Sequence, residues 1–257
     1  ARLIRNTKNL LFCKAYNQGI DAARGNFVLC LNNDVVLDKD YLKEALFTIG
    51  LDNKIGMASG KILRMDKKTI DSTGLFLGRN RKPVERGYGK KDAGQYDEPG
   101  HVFGVSGACA FFRKSMLNEL KDEHGYFDER LGMYYEDLDI CWRAQSKGWM
   151  AYYNPKAIAY HVRGGTSMEG KGAMPRTKHI QDIRCLVRGL RLPYICDELK
   201  KRYIKNRYLC MKKNDTLRGA LVNLPFILFY ELELWSYIVF NILFKEFQLR
   251  KALTRSD

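Results

Sequence analysis

Tyr134-Tyr135-Glu136-Asp137-Leu138-Asp139 gathers three carboxylates within four residues, directly behind two aromatic rings. A carboxylate within reach of a hydroxyl can take its proton, so Asp137 is the candidate general base. Tyr135 and Trp142 would shape its pocket and keep water out. Leu138, Cys141, Trp142 and Gln145 follow at the i, i+3, i+4, i+7 spacing of one helix face, so the cluster opens a helix. Acids in a first turn also complement the helix dipole, an effect of a few tenths of a kcal/mol. That reading covers one or two of the three. Asp139 fits better as the partner of Arg143, one turn on.

Two more candidates end apolar runs. Asn32-Asn33-Asp34 follows Phe27 to Leu31, five apolar residues of the kind found in a strand buried on both faces. Ligands of open α/β sheets bind beyond the carboxyl ends of strands. One carboxylate there can hold Mg²⁺ or Mn²⁺, with phosphates and water completing the shell. Asn and Asp equally favour turns, and spacing alone leaves both readings standing. His161 ends the run Ala157 to Tyr160, where it is either a metal or phosphate contact or a structural histidine. Ser106-Gly107-Ala108 interrupts an apolar stretch with small residues that permit close backbone approach.

The elements that must position these groups read as α/β. Ile20 to Arg24 is helical and stops at Gly25. Asp38 caps a helix whose apolar face is Leu42, Ala45, Leu46 and Ile49. Ile55 to Leu63 and Val102 to Phe112 are strands, and two short strands lie around Met150 to Tyr153 and Ala157 to Tyr160. Residues 79 to 100 form a long surface loop. Seven scattered cysteines without a C-x-x-C pair read as small buried apolar residues in a reducing compartment.

With 257 residues, 46% of them hydrophobic, the chain can bury a full core. Its net charge of +15 predicts an anionic partner. Residues 171 to 218 hold 14 Lys and Arg against four acids. The run Ala220 to Phe244 is then strongly apolar, broken by Pro225, Glu231, Glu233 and Asn241. Its length would cross a bilayer, but the two glutamates oppose that and Pro225 divides it into Leu217–Leu224 and a longer helix. A helical hairpin or interfacial element on an anionic cytoplasmic leaflet is the favoured reading, and a solvated helix covering the core the competing one. No nucleic-acid-binding motif accompanies the basic residues, which argues against a nucleic-acid partner.

In order and spacing, Asn9-Leu10-Leu11-Phe12 through Asn17-Gln18-Gly19-Ile20, Gly25 to Asp34, Val105-Ser106-Gly107-Ala108-Cys109 with Arg113, Tyr135 to Asp139 with Gly148-Trp149, and His161 with Gly164-Gly165 together resemble the family 2 glycosyltransferases, specifically the bacterial rhamnosyltransferase-like group. The resemblance implies a GT-A fold, an open and mostly parallel sheet flanked by helices, over residues 1–175, with a helical basic appendage over 176–257. It implies inverting transfer of a sugar, rhamnose being the subgroup's suggestion, from a nucleotide-sugar donor to a hydroxyl of a polysaccharide or lipid-linked glycan. Asp137 takes the position of the base and Glu136 is the alternative. Asp34 stands where the family's metal-binding Asp stands, with His161 nearby, for a divalent cation, Mg²⁺ or Mn²⁺. Asn17, Asn32, Asn33, Ser106, Gly107, Ala108, Tyr135 and Trp142 fall at donor- or acceptor-binding positions. Asn32 replaces the first acid of the family's D-x-D motif. Such enzymes open with nucleotide-holding strands before the Asn9 segment, so the resemblance implies an N-terminally truncated catalytic domain, peripheral to the inner face of the cytoplasmic membrane. An inactive donor-binding homologue is the remaining alternative.

Overall fold

The computed structural model describes residues 2–162 and 197–253. Gly164-Gly165 and the basic residues between 163 and 196 lie outside the described residues. Helix α1 (Leu11–Ala22) begins where the Asn9 side chain accepts the Leu11 N–H at 2.8 Å. It starts well before the expected Ile20, because Cys13, Asn17 and Ile20 share one buried face. Strands β1 (Phe27–Leu31) and β2 (Val35–Leu37) follow, then α2 (Tyr41–Gly50). Helix α2 buries Tyr41, Ala45, Thr48 and Ile49, so the expected face is rotated and Leu42 and Leu46 are exposed. The Tyr41 ring takes the core position instead. Asp40, at the N-cap, makes no side-chain cap bond, and Asp38 instead accepts the Asp40 N–H with its side chain at 3.4 Å and the Tyr41 N–H with its carbonyl at 3.1 Å.

Strand β3 (Ile55–Arg64) is the sheet's centre and is buried almost throughout. Short strands β4 (Ile70–Ser72), β5 (Leu75–Leu77), β6 (Pro83–Glu85) and β7 (Gly100–Val102) lead to β8 (Cys109–Arg113). Helices α3 (Lys114–Leu120) and α4 (Glu136–Ser146) precede β9 (Met150–His161). The main sheet has seven strands, ordered β1-β8-β3-β9-β2, with β4 on β3 and β7 on β9. Only β3 and β9 run parallel, and the other pairs of this sheet are antiparallel. The sheet is therefore mixed where strand–helix alternation pointed to a mostly parallel one. The cause is the segment 64–113, which returns as short strands without a helical crossover. The two expected C-terminal strands are one, β9, with a register shift opposite Gly60. A Cβ at Gly60 would collide with the Ala157 carbonyl, so glycine lets the strands approach at that irregularity.

Residues 79 to 100 are not a free loop. They carry β6, which pairs with β5, and buried Arg81 and Gly87. Helices α5 (Asp197–Asn214) and α6 (Leu217–Leu253) pack as a pair, with Arg207 donating to Glu231, whereas the expected hairpin would fold the apolar run itself at Pro225. Pro225 sits inside α6 without dividing it. An interior proline forfeits one backbone bond at roughly 3 kcal/mol, and the contacts of Ile227, Tyr230 and Leu234, buried below it, offset that cost.

Candidate active site

The carboxyl ends of β1 and β9 meet the loop Asn32-Asn33-Asp34. His161, the last residue of β9, places Nε2 3.3 Å from Asp34 Oδ1. Its Nδ1 lies 2.8 Å from Asp71 Oδ2, and the Asp71 side chain is fully buried in β4. Both ring nitrogens thus face carboxylates, the shorter contact at Nδ1 fixing the ring and directing Nε2 toward Asp34. Histidine ligands are commonly held this way, with a carboxylate fixing tautomer and ring angle. Among the described residues no group of three or more His, Cys, Asp or Glu could hold a metal. Asp34 and His161 do offer one oxygen and one nitrogen side by side, which suits a cation that draws its other ligands from phosphate and water.

The Asn32 side chain accepts the Tyr16 hydroxyl at 2.9 Å, and Tyr16 stacks on Phe12 with centroids 4.0 Å apart. These rings, β1 and Asn32-Asn33-Asp34 line a cleft of about 760 Å³. Asn33 is exposed at its mouth.

The second group is built on the entry to α4. Tyr134 and Tyr135 both take φ of 70°, a left-handed conformation that bulky residues adopt at a cost. Such strain persists only where the surroundings enforce it, and it clusters at functional sites. Asn206 of α5 supplies the enforcement: its amide donates to the carbonyls of Leu131, Met133 and Tyr134 at 2.8–2.9 Å. The turn then separates the three acids. Asp137 accepts the N–H of Leu138 at 2.8 Å and of Gly107 at 3.3 Å, and Phe12 of the cleft lies close to Gly107 too. Glu136 points inward. Burial, then the neighbouring Asp137, push its carboxyl well above the ordinary range. Asp139 is fully buried and structural: Arg143 donates to it at 2.9 Å, Asn214 at 2.8 Å and Lys213 at 3.2 Å.

Three proposed ligand-contact residues are engaged elsewhere. Asn17 ties α1 to the loop before α4, donating to Phe127 O and accepting Phe127 N–H, both at 2.9 Å. Tyr135 is buried against the Tyr203 ring of α5 at 4.9 Å. Trp142 packs edge-on against Phe103, with the Arg81 guanidinium 5.6 Å from its ring. Neither ring lines the cleft, since Tyr135 turns to α5 from the left-handed start of α4 and Trp142, five residues beyond Asp137, faces Phe103. Ser106 and Ala108 are buried and Gly107 half-buried.

Two acids of the site lie in segments with no periodic signal, Asp71 and Glu85. Glu85, on β6, accepts the Ser72 hydroxyl and touches that of Ser106. Burial, then the charge of Asp137, raise its carboxyl to about 8.

Residues 2–174 match the family described as "Glycosyltransferase like family 2". The chain belongs to this family. Over 146 residues it is 26% identical to a poly-beta-1,6-N-acetyl-D-glucosamine synthase of Staphylococcus aureus (strain COL), covering 57% of this chain and 32% of that protein. Over 57 residues it is 39% identical to the N-acetylglucosaminyl-diphospho-decaprenol L-rhamnosyltransferase of Mycobacterium tuberculosis, covering 22% and 17%. The chain thus spans about a third or less of these relatives' lengths. Among solved structures it is similar to GalNAc-T7 with UDP, GalNAc and Mn²⁺, at TM-score 0.52 and 14% identity, covering 83% of this chain and 45% of that one. The fold is the GT-A type, mixed in strand direction, with flanking helices and a helical C-terminal part.

Proposed function

We propose that this glycosyltransferase-family chain moves a sugar, with inversion, from a nucleoside-diphosphate donor to a hydroxyl of a glycan or lipid-linked acceptor. One observation carries the reading. Asp34, beside His161, lines the cleft together with Phe12 and Tyr16, and Phe12 also approaches Gly107, whose N–H Asp137 accepts.

Asp137 takes the acceptor's proton as that oxygen attacks the anomeric carbon, and the bonding pair of the sugar–phosphate link leaves with the diphosphate. The N–H groups of Gly107 and Leu138 aim its carboxylate. Glu136, buried and turned inward, is the poorer base. Asp34 and His161 are the residues that would hold Mg²⁺ or Mn²⁺, supported by the Mn²⁺ of the GalNAc-T7 structure. When bound, such an ion offsets the charge gathering on the diphosphate. Asn32 and Asn33 border the donor and Ser106-Gly107-Ala108 the acceptor. Holding both substrates in line supplies much of the acceleration. Rhamnose is the sugar suggested by the Mycobacterium relative.

An anionic membrane surface is the proposed partner of α6, at the inner face of the cytoplasmic membrane. Leu217–Val239 is long and apolar enough to cross a bilayer by length and composition. Yet Ile227, Tyr230 and Leu234 are buried, and Glu231 accepts Arg207 at 2.9 Å. That leaves one side of α6 held on the domain and the rest apolar and exposed, the arrangement of a helix lying on lipid.

The test is a panel of nucleotide sugars offered with a lipid-linked acceptor, with and without Mn²⁺. Mn²⁺-dependent product from one donor supports the reading, and no transfer or donor binding across the panel contradicts it.

A further inference from the structure

A path of short contacts joins the two groups of the site. On one side, Asp71 holds His161, and its neighbour in β4 is Ser72. The Ser72 oxygen accepts the Gly74 N–H at 3.2 Å, which directs its hydroxyl proton to Glu85 Oε2. On the other side, Ser106 touches the same Glu85 carboxyl, and its neighbour Gly107 gives its N–H to Asp137. Glu85 itself is fixed by β6, whose register opposite Leu75 of β5 sets its place. Leu75 in turn exchanges both backbone bonds with Gly104, at 3.0 Å each, just before Ser106. A carboxyl beside two other acids is a costly choice for a structural position, since each added acid raises the cost of its charge. A serine or glutamine could link two hydroxyls without that penalty.

We propose that Glu85 is a positioning residue for sugar transfer, a carboxyl bridge holding β4 and the Ser106-Gly107 turn in one register. The bridge sets the distance between the His161 end and Asp137. It rests on the transfer reading above, and it adds that the two ends are built as one unit. Glu85 touches no reacting atom. In its acid form it keeps both hydroxyl contacts without adding charge beside Asp137, so Glu85→Gln preserves the bridge and Glu85→Ala removes it. Glu85→Asp withdraws the carboxyl by one methylene and opens a smaller void.

The test pairs steady-state transfer with amide hydrogen exchange at Gly107, measured by NMR on the whole chain. For Glu85→Ala and Glu85→Asp we expect Gly107 exchange about tenfold faster, since one lost hydrogen bond near 1 kcal/mol loosens the turn by that order. The same variants should lower kcat about tenfold while the donor KM stays within about twofold, the split expected when the transition state alone feels the misplacement. Glu85→Gln should restore both. Faster exchange in a chain that shows no transfer, even in its parent form, would count against the transfer reading and still support the bridge. Unchanged Gly107 exchange in both Ala and Asp variants overturns the bridge, whatever happens to kcat.

Discussion

The cleft and the C-terminal hairpin treat polarity in opposite ways. Around α4 the protein buries Asp128 and Asp139 and holds both with donors, Asp128 with Arg130 and Lys213 at 2.6–2.9 Å. Burial alone would raise Asp128, and those two cations outweigh it and hold its carboxyl far below the usual range. Along α6 the reverse occurs, with apolar side chains left in the open: Leu217 is 78% exposed, Leu232 69% and Phe229 65%. A soluble chain rarely leaves such a patch unless something covers it. The contrast teaches that order in the cleft comes from within the fold, whereas the proposed lipid surface would complete α6. Helix α5 belongs to both regions. It is basic, as the sequence suggests, but Asn206, Lys213 and Asn214 face α4 and hold the strained turn and its acids.

The sharpest break in that contrast is at the joint. Lys213→Met should cost about 2–3 kcal/mol, because Asp128 and Asp139 stay buried after losing a shared cation. Urea unfolding checks it, and an unchanged midpoint would make the network ornamental. Next, Asp71→Ala removes the acceptor that orients His161. Affinity for a nucleoside diphosphate with Mn²⁺ should fall roughly 10–100-fold, the usual effect of losing a carboxylate behind a ligating histidine. Titration calorimetry reads it, and equal affinity would detach His161 from the donor.

On the other side of the comparison, Phe229→Ser should weaken binding to vesicles rich in anionic lipid about tenfold, one exposed ring being worth about 1.5–3 kcal/mol when fully buried and less at an interface. Folding should be untouched. Binding equal to the parent's would place the ring away from lipid. The smallest effect is a pH signature. Glu85 titrates near 8 in the fold against 4.5 ordinarily, so the native state keeps a proton that the unfolded chain releases. Its contribution is whole below about pH 4.5 and is lost as pH rises through about 8. Melting of Glu85→Gln relative to the parent should therefore improve between about pH 5 and pH 9. A constant difference would argue against the buried acid.

Much of this was legible in the residues, and the failures have physical causes. Asp34 and His161 were both read from strand ends, where α/β sheets bind ligands, and the fold brings them within 3.3 Å of each other. Asp139 announced its structural role through Arg143 at i+4. Asp71 and Glu85 could not be found, since three-residue strands carry too little periodicity and their partners are 13 to 90 residues away. Tyr135 and Trp142 misled because nearness in sequence to Asp137 ignores the turn of a helix, which sends neighbours to different faces. The parallel sheet was overcalled for a related reason: antiparallel returns such as β8 onto β1 and β3 depend on pairings that no local pattern encodes. The buried thiols were read correctly, as Cys13, Cys30, Cys109, Cys141 and Cys210 are free and enclosed.

The central claim is that Asp137 does the chemistry while the Asp34–His161 end holds the donor. Single-turnover transfer by Asp137→Asn, measured beside donor binding with Mn²⁺, tests it most directly. The account predicts transfer about 10³-fold slower, within the span for loss of a general base, with donor affinity unchanged. Transfer at the parent rate by Asp137→Asn would contradict it.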